Sequence, residues 1–114
     1  MSMEHMDRTV LLALQEVMEE EYPLLLDTFL NDSRQRLAQL QQATDAEALE
    51  QAAHSFKGSS SNMGAMYLAD LCRQLEEQAG RMSPQARHTL VSLISTEFAT
   101  VLDLYTRERQ RYPI

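Results

Sequence analysis

The sequence predicts an all-α protein, an antiparallel up-and-down four-helix bundle with a short additional N-terminal helix. Three observations predict it. Apolar residues recur at steps of three and four through five separate segments. The 114-residue chain holds only three Gly and three Pro and is rich in Leu, Ala, Gln and Glu, a composition that disfavours strands. The connections between the periodic segments are short and carry helix-start and helix-stop residues.

The first helix spans residues 7–19, with Val10, Leu11, Leu14, Val17 and Met18 as its apolar stripe and Asp7 as its cap. His5 precedes it and receives no role. The acidic run Glu19, Glu20, Glu21 breaks the chain before a second helix over residues 22–43, where Pro23 is tolerated in the first turn. Leu26, Phe29, Leu30, Ser33, Leu37 and Leu40 form its buried side, and Arg34 and Arg36 its solvated side. Thr44, with Glu47 three residues on, reads as a capping box that opens a third helix over residues 45–62. Its inner stripe is Leu49, Ala52, Ala53, Phe56, Ser60 and Met63. Asn62 and Gly64 supply turn chemistry. A fourth helix follows over residues 65–79, with Leu68, Leu71, Cys72, Leu75 and Ala79 inward and Gly80 as its terminator. Ser83 and Pro84 cap and open a fifth helix reaching Arg109, with Leu90, Ile94, Phe98, Val101, Leu102 and Tyr105 inward. Arg107, Arg109 and Arg111 read as a solvated terminus suited to the negative end of that helix, and His88 as a surface residue.

Size and charge narrow the function. One domain, residues 1–114, is large enough for a single core. A formal net charge of −7 argues against a nucleic-acid footprint and against anionic membranes. The longest fully apolar run, residues 10–14, is far short of the roughly 20 residues of a membrane helix. Residues 1–9 lack the apolar core of a signal peptide, and the lone Cys72 fits a reducing compartment, so a cytoplasmic location is expected. The apolar stripes are about as wide as one bundle core needs, so a monomer is expected. Cys72 lies in an inward stripe and reads as a small hydrophobe, not a nucleophile.

The informative stretch is residues 53–64. His54 stands with Lys57 three residues later and Gly58 four residues later, so on a helix the three share one patch. At about 100° per residue, His54, Gly58, Ser61, Glu50 and Glu47 fall opposite the apolar stripe, with Lys57 on the flank. A Gly inside a helix costs roughly 1 kcal/mol against Ala, and close approach by another molecule would justify it. An exposed imidazole with a cation beside it suits a phosphoryl group. On spacing alone two other readings stay open: an ordinary solvated histidine, and a metal pair formed by Glu50 and His54. The metal reading lacks the second Glu-x-x-His unit that bundle metal sites carry.

The run Ala53, His54, Lys57, Gly58, Ser59, Ser60, Asn62, Met63, Gly64, Ala65, followed by Leu68, Leu71, Cys72, Leu75 and Glu76, resembles the histidine phosphotransfer (Hpt) domain family, above all its stand-alone bacterial members. The resemblance implies an antiparallel bundle made by the second to fifth helices. It implies that His54 is phosphorylated on Nε2, that Lys57 stabilises phosphoryl charge, and that Gly58 leaves room for in-line approach. Ser61 is placed to donate to a phosphoryl oxygen, and the resemblance brings Glu76 to the imidazole from the fourth helix. The implied partners are receiver domains, of hybrid sensor kinases as donors and of response regulators as acceptors, with Mg²⁺ held only in the receiver. No cofactor or metal of its own is expected. The chain carries neither a GxxxxGK[ST] nor a GxGxxG loop, so a carrier is expected and not an ATP-using kinase. The docking face is expected on the exposed side of the third helix with parts of the second, rimmed by Glu47, Glu50, Gln51 and Ser61 with Ser33, Arg34 and Leu37. An adaptor that binds signalling partners without phosphoryl transfer is the alternative.

Overall fold

A computed structural model describes residues 3–112, so residues 1–2 and 113–114 of the expected 1–114 domain, and of the expected leaderless start, lie outside it. The helices are α1 (Arg8–Met18), α2 (Tyr22–Gln42), α3 (Ala46–Asn62), α4 (Met66–Gln78) and α5 (Pro84–Gln110). Short 3-10 turns, Glu19–Glu21 and Ala79–Arg81, follow α1 and α4. Each of α2 and α4 packs against both α3 and α5, which closes a four-helix square. The 27 residues of α5, at about 1.5 Å each, account for the 44 Å long axis of the molecule.

Local chemistry sets the helix starts. Asp7 accepts from Thr9 N at 3.0 Å and Ser83 from Ala86 N at 3.1 Å, with Pro23 and Pro84 in first turns. The cap of α3 corrects the sequence expectation. Asp45, in extended conformation, accepts from Ala48 N at 2.8 Å, so the helix begins one residue after Thr44 would have started it. Glu47 then stands second in the helix, too early to close a capping box. At the other end of α3, Gly64 takes φ +80°, a left-handed conformation. Gly80 does not terminate α4 in this way. It lies inside the 3-10 turn, and the extended Met82 ends the run.

The stripes of α2 to α5 meet in one core. Tyr22, Leu26, Phe56, Leu68, Leu75, Ile94, Val101 and Tyr105 are fully buried, and Phe56 stands edge-on to Phe98 with centroids 6.2 Å apart. Leu37, Ala52 and Leu102 pack only at its margin. On α1 only Leu11 is fully buried. Val17, expected inward, is 78% exposed, because this flanking helix covers one end of the bundle with a narrow strip.

Ion pairs at that end also depart from expectation. Arg109, read as solvated, donates from Nε to Asp27 Oδ1 at 2.9 Å and so ties α5 to α2. Glu108, 2% exposed, accepts from Arg8 Nη1 at 2.7 Å and from the Tyr22 hydroxyl at 2.8 Å. Burial pushes the Glu108 carboxyl up, but these donors outweigh it and hold it below its ordinary value. The Tyr105 hydroxyl, itself buried, donates to Met63 O at 2.7 Å and fixes the α3–α4 turn against α5.

Candidate functional site

Halfway along α3 the outward stripe presents His54, 70% exposed. Its Nδ1 lies 2.8 Å from Oε1 of Glu76 on α4. The same carboxylate accepts from Lys57 Nζ, at 2.9 Å to Oε2 and 3.1 Å to Oε1. Glu76 therefore bridges the two candidate residues of α3 from the neighbouring helix. The Lys57 ammonium first, and the imidazole second, hold its carboxyl below the ordinary value, so it is ionised at neutral pH. A carboxylate facing Nδ1 favours the tautomer with the proton on Nδ1, which leaves the Nε2 lone pair for chemistry.

Gly58 sits one turn after His54, and a Cβ built there meets nothing within 4 Å. Among the described residues no packing requires glycine at this position. What glycine provides is clearance above the surface, beside the imidazole. Ser61 is exposed on the same side, while Ser60 is fully buried and Ser59 returns its hydroxyl to Phe56 O at 3.2 Å.

The expected rim divides. Glu47 and Gln51 are exposed on the face of His54. Glu50 is half-buried with its carboxylate 3.4 Å from where a Cβ on Gly80 would stand, so Glu76 takes the place beside the imidazole that the metal reading gave to Glu50. Among the described residues no group of three or more His, Cys, Asp or Glu is placed to hold a metal ion. Of the contributions expected from α2, one needs correction. Ser33 is fully buried, whereas Leu37 is half-buried at the core margin and Arg34 is exposed, bonding Asn31 of its own helix at 3.2 Å. Ser33 has no surface to offer a partner.

The helix that flanks His54 on the site side is α4, which the sequence reading passed over apart from Glu76. Between α3 and α4 runs a groove of about 330 Å³ that includes Lys57, Gly58, Ser61, Met66, Ala69 and Arg73. Asp70 and Arg73 recur at helical spacing ahead of Glu76, which was the available signal. On the inner side of the same helix Cys72 is buried, and desolvation with the nearby Glu76 pushes its thiol up to about 12, which leaves it inert at neutral pH.

Comparison with known proteins agrees with this geometry. The Hpt domain family model matches residues 24–106, well over half of the chain. No curated protein sequence matches significantly. Among solved structures, the crystal structure of histidine-containing phosphotransfer protein B (HptB) from Pseudomonas aeruginosa PAO1 is similar at 54% identity and a TM-score of 0.91. That similarity covers 98% of this chain and 100% of the other. By family match, by fold and by likeness to a histidine phosphotransfer protein, this chain belongs to the Hpt domain family and serves in a phosphorelay.

Proposed function

We propose that His54 is the phosphoacceptor, and that the protein carries a phosphoryl group between receiver-domain aspartates. The observation that carries this reading is the exposed imidazole whose Nδ1 is held at 2.8 Å by an ionised carboxylate. With its proton on Nδ1, the imidazole presents the Nε2 lone pair to an aspartyl phosphate. An N–P bond forms as the P–O bond to the aspartyl carboxylate breaks, and the aspartate leaves as a free carboxylate. The ring gains positive charge as it attacks, and Glu76 offsets that charge across the Nδ1–H bond. Transfer to a second receiver reverses these bonds.

Lys57 starts on Glu76 and is within reach of oxygens placed on the ring, where its compact charge offsets theirs. Ser61 is a further donor on that side. The donor receiver belongs to a hybrid sensor kinase and the acceptor to a response regulator. Each brings the Mg²⁺ that its own acidic pocket holds. The chain itself acts as a carrier and not as a kinase, as a monomer in the cytoplasm. Among the described residues no helix is long and apolar enough to cross a membrane.

The test is transfer from a prephosphorylated receiver domain to wild type beside His54→Ala. A base-stable, acid-labile label on wild type, absent from the variant, is the expected result. Equal labelling of both proteins would place the phosphoryl group elsewhere and defeat the assignment.

A further inference from the structure

The residues ahead of α1, which include His5, are held by the rest of the fold. Their backbone is joined once to the α3–α4 turn and once to the first turn of α4. Asp7 N donates to Gly64 O at 2.8 Å, and Tyr67 N donates to Glu4 O at 2.9 Å. Between these bonds His5 Nδ1 meets Glu97 Oε2 at 2.6 Å, and the ring stands edge-on to Tyr67 with centroids 6.1 Å apart. This corrects the reading of His5 as a residue without a role. Glu97 is 4% exposed, and a carboxylate so far out of water requires a partner. Gly64 is fitted to the same contact, since a Cβ there would stand 3.1 Å from Asp7 O and from Val10 Cβ. Residues near a chain end stay loose unless tied down, and residues 4–7 are tied to the α3–α4 turn, to α4 and to α5.

What these attachments position is Met3, 49% exposed, which lines the α3–α4 groove with Met66, Ala69 and Arg73. The groove runs into Lys57 and Gly58, so a protein domain seated on His54 covers it. Its charged rim is already satisfied. Arg73 bonds Asp70 at 2.7 Å and Glu77 at 2.8 Å, and Asp70 also accepts from Gln74 at 3.0 Å. The groove therefore favours an apolar side chain over a charged one.

We propose that residues 3–7 form a strap whose Met3 completes the receiver-docking surface, with the groove taking an apolar side chain of the docked receiver domain. The proposal rests on the phosphoacceptor reading of His54.

The test compares wild type, Met3→Ser, Met3→Leu and His5→Ala with two phosphoryl donors. One is a receiver domain that transfers to wild type, phosphorylated on its aspartate. The other is phosphoramidate, which is too small to dock. Met3→Ser is expected to raise the KM for the receiver roughly 5- to 10-fold, the loss of one partly buried Met contact. Met3→Leu restores it, His5→Ala raises it in the same direction, and kcat stays within about twofold for all three. The phosphoramidate rate should follow wild type. An unchanged receiver KM in both Met3→Ser and His5→Ala would overturn the strap while leaving His54 as the phosphoacceptor. Failure of wild type to accept from any receiver would overturn both.

Discussion

Replacing Gly58 separates stability from transfer. The residue is exposed in the interior of α3, and a Cβ there meets nothing within 4 Å. Gly58→Ala therefore adds helix propensity without a clash and should stabilise the fold by roughly 0.8–1 kcal/mol. For a domain of this size that raises Tm by about 4 °C, readable in a thermal melt followed by circular dichroism. Helical side chains lean toward the N-terminus onto the residue four positions back, and that residue is His54. Ala adds one methyl beside the imidazole and should slow transfer from a phosphorylated receiver less than about tenfold, whereas Leu, which reaches over the ring, should slow it roughly 100-fold or more. Both variants should melt above wild type. A Gly58→Leu protein that melts higher and transfers at the wild-type rate would refute the idea that glycine is kept for access. A Gly58→Ala protein that melts lower would show that the open space is not open.

Other tests follow from the same geometry. Glu76→Gln keeps an oxygen for Nδ1–H but loses the charge, and with Glu76 partly exposed this should cost about 1 kcal/mol in the transition state, or roughly fivefold in kcat; a change confined to KM would remove Glu76 from the chemistry. Ser33→Ala removes a buried hydroxyl with no partner among the described residues, so it should leave transfer unchanged and hold or raise Tm, and a raised receiver KM would return Ser33 to the docking face. Glu108→Gln should destabilise by about 2 kcal/mol at neutral pH in urea unfolding, because Arg8 and Tyr22 lose a charged acceptor. The Glu108 carboxyl titrates lower in the folded protein than its ordinary 4.5, so the unfolded chain binds more protons and stability falls as pH drops below that value. The variant should show a flatter acid limb, and an acid limb as steep as wild type would place the titrating group elsewhere.

The parts of the molecule legible in the sequence are those that depend on near neighbours. The inner stripes of α2 to α5 follow from periodicity, and His54, Lys57 and Gly58 lie within five consecutive residues. Glu76 was within reach because it belongs to the motif that carries the family resemblance. Periodicity reports which side of a helix is buried, but not which neighbours flank the opposite side, and so the groove that α4 forms with α3 was not foreseen. The pairs His5–Glu97, Arg8–Glu108 and Asp27–Arg109 join residues 92, 100 and 82 positions apart. Glu97 and Glu108 stand at inward positions of the α5 stripe, three residues after Ile94 and Tyr105, but spacing does not name the distant partner that lets a carboxylate be buried there. The shift of the α3 cap from Thr44 to Asp45 turned on one residue, and both side chains are competent caps.

The two halves of the proposed docking face differ in how far along the chain their parts lie. His54 and Glu76 are 22 residues apart on one helical hairpin, whereas the latch that holds the N-terminal segment spans 92. By loop-closure entropy the longer span costs about 1.3 kcal/mol more to close. The reactive pair can therefore assemble with its hairpin early in folding, and it persists when the chain end opens. The wall of the groove closes last and is the first to be released by local unfolding. Amide exchange at Asp7 N and Tyr67 N, measured against exchange in the middle of α3, would time that opening directly.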